Sequence, residues 1–435
     1  MIKLNVGIIG AGIAGLASGY YTKKEFDLPI SISIFEKSAQ MGGRLKTVKF
    51  KGEYIDIGSQ LISNGDFKTM QLLEELNLNS NLERFEKTFI STFHKGELTP
   101  VSFSSGIYHI YSKMEQQKID KLKKELKILE KQYLEILSKP SDYTNLTFDE
   151  WCQEKIGETP KLINTILRAI CFADSTKLSA LYGLTTLYIY LEDCFFLPQG
   201  MDIIIRTIVN KIESSGIDIY LDSNINKIFV RNNKVENISI QEDEEKKQIV
   251  VDNLISAIPA PDLIKLLPDT KLSRLLAKID YNPCIFVLIS LKKDLWDGTW
   301  GVIFDEDESP ISLVIQHSNK HIKFRKNKGI IGVLLPNDSN LLRKSDSDLY
   351  DLVLSSISQY FKLKGSDVLE YKVYRWEFGL PICSPEFHKL QEKIMENSIE
   401  GLFLCGDYIG LPSQDGATES AEAAAKSLRN KLNKN

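Results

Sequence analysis

The chain has 435 residues, which is too long for one ordinary hydrophobic core and predicts two or more domains. Hydrophobic residues make up 43% and charged residues 26%, as in soluble globular proteins, and the formal net charge of −4 indicates no nucleic-acid partner. No apolar run reaches the roughly 18 residues of a membrane span and no secretion signal is recognisable, so the sequence predicts a cytoplasmic location without a membrane span.

The first segment predicts a strand, a glycine-rich turn and a helix. A strand over Val6–Ile9 leads into the pattern G-x-G-x-x-G, and a helix follows over Ile13–Lys24. The first glycine permits a tight turn, the second lets the backbone approach a pyrophosphate, and the third lets helix and strand pack closely. The positive end of the helix then points at the phosphates. The predicted dinucleotide contacts in this segment are Gly10, Gly12, Ile13, Ala14 and Gly15.

An acidic residue ends the second predicted strand. Isoleucines alternate over 30–34, and Glu36 lies 21 residues after Gly15. A carboxylate at this place accepts hydrogen bonds from both ribose hydroxyls and repels a 2′-phosphate, which favours an unphosphorylated adenosine. Taken alone, the three glycines also fit an ordinary glycine-rich turn of an α/β protein.

A second glycine turn distinguishes FAD from NAD as the cofactor. Gly42, Gly43 and Arg44 follow Glu36 after a short polar segment. This arrangement resembles the FAD-dependent amine oxidase superfamily, which includes monoamine oxidases, protoporphyrinogen oxidases, carotenoid desaturases and renalase-like enzymes. The resemblance implies FAD as the cofactor, with Lys37, Gly43 and Arg44 among its contacts along the ribose, pyrophosphate and ribityl chain. A guanidinium also presents a rigid fork of donors that suits phosphate oxygens.

Internal segments extend the resemblance. Residues 54–60 resemble the D-x-G segment that passes near the flavin ring in this superfamily, which implies contacts from Gly58, Ser59 and Gln60. Residues 198–202 are similar to the segment through which the chain re-enters the FAD domain in this superfamily. By resemblance, Ile225 lies against the adenine through its backbone.

Near the C-terminus, an apolar strand delivers Gly406 and Asp407 to its carboxyl end, where ligands bind in open α/β sheets. By resemblance, Asp407 bonds the ribityl or pyrophosphate region. Asp415, Gly416 and Ala417 begin an alanine-rich helix, whose first amides face the N1–C2=O edge of the flavin in the superfamily. The dipole of that helix would stabilise the anionic reduced flavin. An alanine-rich surface helix is the alternative interpretation.

Because the matching segments are far apart, the cofactor domain is predicted to be discontinuous. It comprises residues 1–66, 198–268 and 397–435. Residues 67–197 and 269–396 form the substrate domain, helical in its first part and strand-rich in its second. The predicted fold class is α/β, with a Rossmann-like FAD-binding domain and an inserted mixed α+β substrate-binding domain, the two-domain architecture of the amine oxidases.

The remaining polar and sulfur-bearing residues indicate no metal chemistry. The six cysteines include no Cys-x-x-Cys pair, and the five histidines form no ligand cluster, so no metal site is predicted. His317 and His321 are four residues apart, but they lie in a polar, loop-like stretch. The charged stretches 241–247 and 321–328 are interpreted as solvated turns.

The chemistry of such an enzyme is centred on the flavin. The protein needs to hold a C–H bond over flavin N5 and to exclude water, and the residues predicted to line the pocket are Gln60, Trp376 and Phe378. Two features depart from the superfamily and weaken classical amine oxidation. Residues 281–288 resemble the strand that carries a lysine in those oxidases but contain none, and Ser413 stands where they place an aromatic residue.

The sequence therefore predicts an FAD-dependent oxidoreductase that removes a hydride from a small organic substrate onto flavin N5. The substrate is an amine or a compound with an activated C–C or C–H bond, and the electron acceptor is O₂ or another carrier. One alternative is a renalase-like oxidase of misreduced dihydronicotinamides, and another is a non-catalytic binder similar to guanine-nucleotide dissociation inhibitors. Cys383 lies roughly where monoamine oxidases tether their flavin, although a buried, inert thiol is commoner.

Overall fold

The computed structural model describes most of the chain. The described residues are 4–26, 30–85, 90–94, 97–101, 117–125, 141–191, 193–242, 245–304, 311–321, 324, 329–335 and 338–433. All structural statements below concern these residues.

A five-stranded parallel sheet forms the centre of the first half of the fold. Its order is β10, β2, β1, β14 and β20, which span Asp218–Tyr220, Ile30–Phe35, Leu4–Ile9, Asn253–Ser256 and Leu402–Leu404. Every neighbouring pair is parallel. Ile8, Ile34 and Ile255 are fully buried, because both faces of a parallel sheet are covered. The strands come from all three stretches that the sequence assigns to cofactor binding.

Helices cover one face of this sheet. They are α1 (Ile13–Glu25), α2 (Phe67–Glu75), α8 (Ile203–Ser214) and α13 (Gln414–Asn433), and α1 packs against both α8 and α13. Leu72 and Leu73 of α2 belong to the same hydrophobic core as Ile8. The first helix after residue 66 therefore packs with the parallel sheet, and the predicted domain boundaries remain predictions.

The other face meets an antiparallel sheet and two short helices. The sheet contains β11 (Asn224–Arg231), β12 (Lys234–Glu242) and β13 (Glu245–Val250), and the helices are α9 (Ala260–Leu266) and α10 (Lys271–Leu276). The solvated turn predicted over 241–247 is wrong for most of its length, because Gln241 pairs with Lys246 and Glu242 with Glu245. Antiparallel backbone hydrogen bonds extend this hairpin through a charged stretch that carries no alternating apolar pattern.

A seven-stranded mixed sheet dominates the second half of the fold. Its order is β19, β15, β18, β17, β16, β7 and β8, which span Val368–Pro381, Tyr281–Leu291, Ile330–Leu335, Leu313–Gln316, Gly301–Ile303, Ile90–His94 and Glu97–Val101. All its neighbouring pairs are antiparallel except β16 with β7. Helix α11 (Asp346–Phe361) packs on one face, and its N-terminus is capped by Ser345.

The remaining elements are mostly helical. They are α3 (residues 117–125), α4 (Ser141–Thr144), α5 (Phe148–Ile156), α6 (Lys161–Cys171), α7 (Ala180–Leu191) and α12 (Pro385–Glu396). Thr147 and Glu150 form a capping box at the start of α5. The sequence also predicts a helix with an apolar stripe of Leu122, Leu126, Leu129, Tyr133 and Ile136, of which all but Leu122 lie outside the described residues.

Short strands and single helical turns complete the described structure. The strands are β3 (Thr47–Phe50), β4 (Glu53–Asp56), β5 (Ile62–Ser63), β6 (Glu83–Arg84) and β9 (Cys194–Phe196). The 3₁₀ turns span Asn79–Asn81, His317–Asn319, Leu341–Arg343 and Gly365–Asp367. Together with the two large sheets they confirm the predicted α/β class with a mixed second part. None of the helices in the described ranges combines the length and apolar character that a bilayer crossing requires.

Candidate cofactor and substrate site

The glycine turn between β1 and α1 has the geometry of a phosphate-binding turn. Gly10 has a φ of +95°, and its amide donates to the Phe35 carbonyl at 2.8 Å. A Cβ on Gly15 would stand 1.9 Å from the Gly10 carbonyl oxygen, so this helix start admits no side chain. A Cβ on Gly12 would meet only the Gly42 carbonyl at 4.0 Å, which leaves room above the turn for a ligand.

The Glu36 carboxylate lies beside this turn, at the end of β2. Its Oε2 accepts a hydrogen bond from the Ala11 amide at 2.8 Å, and its Oε1 accepts from the Ser38 amide at 3.0 Å. The Ser223 amide, just before β11, donates to the Glu36 carbonyl at 2.8 Å. The buried Ile225 therefore follows a turn that touches Glu36. Lys37, by contrast, points to the surface and forms an ion pair with Asp262 at 2.9 Å.

The second glycine turn packs directly on the first. Gly42 donates its amide to the Ala11 carbonyl at 2.8 Å, and Gly42 and Gly43 both have positive φ values, +107° and +56°. A Cβ on Gly43 would stand 3.5 Å from the Cα of Gly12. Arg44 therefore enters the site beside the first turn, close to the start of α1.

Arg44 and Asp407 form a bidentate ion pair across the site. Nη1 and Nη2 of Arg44 lie 2.5 Å and 2.9 Å from the two carboxylate oxygens of Asp407. Burial alone would lower the pKa of Arg44, but the adjacent carboxylate raises it, so the guanidinium stays charged. Nη1 also donates to the Gly379 carbonyl at 3.0 Å, which connects the pair to β19. Gly406, which precedes Asp407, has a φ of +128°.

The segment after β4 forms a wall next to Arg44. A Cβ on Gly58 would stand 1.8 Å from the Arg44 carbonyl, and the Ser59 amide donates to that carbonyl at 3.2 Å. The Ser59 hydroxyl donates to Oε1 of Gln414 at 3.0 Å, at the start of α13. Nε2 of Gln60 donates to the Asp56 carbonyl at 2.6 Å. The D-x-G segment thus runs between the second glycine turn and the last helix.

The start of α13 is held by its own loop and by α2. Ser413 accepts a hydrogen bond from the Gly416 amide at 2.9 Å, so the serine that replaces an aromatic residue caps the helix. Asp415 Oδ1 accepts from the Thr69 amide in the first turn of α2 at 2.7 Å. Gly416 and Ala417 are buried in the wall of the cavity.

Two carboxylates lie near each other at this junction. Burial, together with the nearby charge of Asp415, raises the pKa of Asp66 to about 7. Burial also raises the pKa of Asp415, although the amide of Thr69 opposes the shift. The surroundings of this junction therefore favour the protonated forms of both carboxyl groups.

A cavity of about 610 Å³ extends from these residues to the mixed sheet and helices α6 and α7. Its lining includes Arg44, Gly58, Ser59, Gln60, Asp407, Gly416 and Ala417 on one side and Ile166, Phe172, Phe286, Trp300, Leu313 and Trp376 on the other. Among the lining residues that the structure describes, only Phe67 and Glu419 are exposed. The cavity therefore reaches solvent between the first turns of α2 and α13.

Of the two predicted aromatic pocket residues, only Trp376 lines the cavity. The ring of Phe378 contacts Tyr281 at 5.6 Å and lies 5.6 Å from the Lys265 ammonium. The separation has a structural reason. Between the pairs Cys284–Trp376 and Asn282–Leu380, β19 contains two residues more than β15. This irregularity breaks the strand alternation that would place positions 376 and 378 on one face.

The thiols near the site differ in their access to the cavity. Cys284 lines it, and burial raises its pKa to about 12. Cys383, predicted as a flavin tether or an inert thiol, is buried outside the lining, with its Sγ 3.5 Å from Nε2 of His388. Burial raises the pKa of Cys383, so its geometry fits the inert thiol.

One charged residue near the wall formed by the segment after β4 was not predicted from the sequence. Lys320 is buried and donates to Oδ2 of Asp56 at 2.9 Å. His317, three residues earlier, is also buried, and its pKa falls to about 3 because of burial and the Lys320 charge. No group of three or more potential metal ligands occurs within the described ranges. Nothing in the polar stretch around position 320 signals a partner 264 residues away.

The whole chain can be compared with known proteins. A family model described as flavin containing amine oxidoreductase matches residues 13–429. The chain belongs to this family. FAD is therefore its cofactor, and the open space above Gly12, beside the start of α1, leaves room for a pyrophosphate. Oxidoreductase activity follows from the same membership, as the sequence predicts.

Individual relatives cover the chain to very different extents. Prenylcysteine oxidase 1 of Rattus norvegicus is 36% identical over 75 residues, which are 17% of this chain and 15% of that protein. The match thus spans a small part of that relative's length. A chloroplastic or chromoplastic 15-cis-phytoene desaturase of Glycine max is 24% identical over 472 aligned positions, which cover 98% of this chain and 79% of the desaturase.

Solved structures show the same fold across the full length. A protein described as a protoporphyrinogen oxidase from Exiguobacterium sp. 255-15 superposes with a TM-score of 0.76 at 18% identity, over 99% of this chain and 100% of that one. Putrescine oxidase bound to putrescine superposes with a TM-score of 0.73 at 16% identity, over 98% and 99% of the two chains. These likenesses establish the two-domain architecture of the family.

Proposed function

We propose that this flavoenzyme oxidises an uncharged, largely apolar organic molecule by removing a hydride to flavin N5. The observation that supports this substrate class is the composition of the far wall of the cavity. From position 90 to position 380, the described lining residues include no lysine, arginine, histidine, aspartate or glutamate. Bound FAD supplies the hydride acceptor, and this wall supplies an apolar surface for the substrate.

The charged lining residues all lie on the cofactor side or at the mouth. They are Arg44, Asp66, Lys68, Asp407, Asp415 and Glu419. A charged group inside the apolar half would lose its hydration without gaining a partner. An amine could therefore react here only in its neutral form, and a C–C or C–H bond in an apolar molecule needs no deprotonation at all.

The wall residues have complementary tasks in this proposal. Trp300, Phe286 and Trp376 provide aromatic surface and exclude water from the reacting bond. Thr185 and Thr186 of α7 provide hydroxyl groups in the lining and could orient a polar end of the substrate. Arg44 and Asp407 stay on the cofactor side, where their mutual pairing keeps both charges away from the apolar wall.

Neither alternative function gains support from the comparisons. The matches include oxidases and desaturases, and a dihydronicotinamide dinucleotide carries phosphate charges that the apolar wall does not neutralise. A non-catalytic binder would not need the glycine turns, Glu36 and the Arg44–Asp407 pair together.

Anaerobic reduction of the bound flavin tests the substrate class. The purified flavoprotein would be mixed with an uncharged linear polyene, a primary amine above and below its pKa, and a dihydronicotinamide, while visible flavin absorbance is recorded. We expect uncharged compounds to bleach the flavin, and the amine to react only where it is neutral. Bleaching by the dinucleotide alone would refute the proposal.

A variant in the apolar wall separates binding of substrate from binding of FAD. Ile170 lies on α6 and is one of the apolar residues that line the cavity. Ile170→Asp should retain FAD but lose reduction by the apolar compound, because the carboxylate brings water into the wall. Ile170→Leu is the matched control and should keep both properties.

A further inference from the structure

Lys320 and Asp56 form an ion pair that is buried from solvent. The ammonium lies 2.9 Å from Oδ2 of Asp56, and the two side chains are only 6% and 1% exposed. The Lys320 ammonium also stands 5.0 Å from the ring centroid of Phe196 and 5.9 Å from that of Phe85. Both rings belong to an apolar cluster, so the partner carboxylate and the ring faces compensate the ammonium for its lost hydration.

The second oxygen of Asp56 holds the cofactor side of the fold together. Oδ1 accepts from the Thr47 hydroxyl at 2.7 Å and from the Met201 amide at 2.7 Å. The Thr47 hydroxyl in turn accepts from the Asp202 amide at 3.1 Å, just before α8. One carboxylate therefore joins the β3–β4 hairpin, the turn into α8 and the segment that carries Lys320.

The pair lies behind the cavity wall and not in it. Neither Lys320 nor Asp56 lines the cavity, whereas the four residues that follow Asp56 do: Ile57, Gly58, Ser59 and Gln60. The carbonyl of Asp56 also receives the side-chain amide of Gln60 at 2.6 Å. A displacement of Asp56 would thus move the wall beside Arg44 and the amide of Gln60 together.

We propose that Lys320 is a positioning residue that fixes the 57–60 wall of the cavity through Asp56. It acts from the segment after β17, in the half of the fold that contains the mixed sheet, on a wall next to the cofactor. This inference goes beyond the proposed function, because it concerns the cofactor side of the cavity whatever the substrate is.

Substitution of Lys320 by the uncharged, similarly long methionine tests this role. Lys320→Met leaves a buried carboxylate without its cation, so we expect the 57–60 wall to shift. The dissociation constant of FAD should rise by at least about tenfold, and the visible circular dichroism of the bound flavin should change. Lys24→Met is the matched control, since Lys24 forms an exposed ion pair with Glu75 at 2.8 Å. It should change neither quantity.

The double variant Asp56→Asn/Lys320→Met separates positioning from simple stability. It contains no unpaired buried charge, so its melting temperature should return toward the wild-type value, but the attachment of the wall to Lys320 is still lost. We expect its FAD dissociation constant and flavin dichroism to stay altered. Wild-type flavin properties in the folded double variant, or in Lys320→Met, would overturn the proposal. If Lys320→Met does not fold, the double variant alone decides.

Discussion

Asp415, in the first turn of α13, accepts a hydrogen bond from the backbone amide of Thr69 in the first turn of α2 at 2.7 Å. The carboxylate of one helix therefore caps the N-terminus of another. The Lys68–Glu422 ion pair, at 2.7 Å, joins the same two helices about two turns farther along α13. The two helix starts that border the mouth of the cavity thus depend on each other.

The Asp415 cap predicts a loss of stability when the carboxylate is removed. Asp415→Ala should lower the free energy of unfolding by about 1–2 kcal/mol, the usual value for a lost helix cap. Asp415→Asn retains an acceptor oxygen and should lose much less. Urea unfolding followed by circular dichroism measures both changes, and equal losses in the two variants would contradict the capping role.

The raised pKa of Asp66 should make the stability of the protein depend on pH. Its pKa rises from 3.8 to about 7 on folding, so between these values the folded state binds more protons than the unfolded state. Stability from this group therefore falls as pH rises through that window, and the penalty is complete above the folded pKa.

Asp66→Asn should remove this penalty while retaining an acceptor for the Ser63 amide. We expect the variant and the wild type to have the same free energy of unfolding near pH 4. At pH 8 the variant should be more stable by about 1–3 kcal/mol, since partial exposure of the Asp66 carboxyl reduces the effect of its shifted pKa. Asp338→Asn, at an exposed position, is the control. A stability difference that does not change with pH would argue against the shifted carboxyl.

Substitution of Arg44, even by lysine, should reduce the affinity for FAD. Its fork binds both oxygens of Asp407, and a lysine ammonium offers only a point charge on a flexible stem. Arg44→Lys should weaken FAD binding by about tenfold or more. Isothermal titration of the apoprotein with FAD measures the effect. Affinity equal to that of the wild type would show that the fork geometry is not needed.

Glu36 predicts a selective effect on cofactor retention. We propose that Glu36 accepts hydrogen bonds from the ribose hydroxyls of FAD, so Glu36→Ala should lower the FAD content of the purified protein while far-ultraviolet circular dichroism stays unchanged. Glu36→Gln keeps an oxygen for the Ala11 amide and should retain more FAD. Flavin content after desalting, measured by absorbance, distinguishes the three proteins. Full retention in the alanine variant would remove the ribose assignment.

Local patterns were sufficient to predict the dinucleotide turn and many element boundaries. The positions of Gly10, Gly12 and Gly15 follow from steric needs within a dozen residues, and the predicted helix after them is observed at Ile13–Glu25. The family resemblance added the cofactor, which the match over residues 13–429 confirms. Such features are set by near neighbours in the sequence, and for that reason they can be predicted without a structure.

The contacts between residues of the site that are distant in sequence could not be predicted from local patterns. Arg44 and Asp407 are 363 positions apart, and each was predicted only as a separate FAD contact. Trp376 and Phe378 lie in the same observed strand, but the irregular pairing of β19 with β15 separates their side chains. Lys320 lies in a polar stretch that resembles a surface turn. Its partner is the buried carboxylate of Asp56, and no local sequence pattern indicates that contact.

The assembly of the parallel sheet has a consequence for biosynthesis. Its middle strand, β1, is synthesised long before β20, Asp407 and helix α13. A nascent chain that still lacks those last elements has the glycine turn but no acid to pair with Arg44 and no final helix beside the flavin. We therefore expect stable capture of FAD only after α13 has been synthesised.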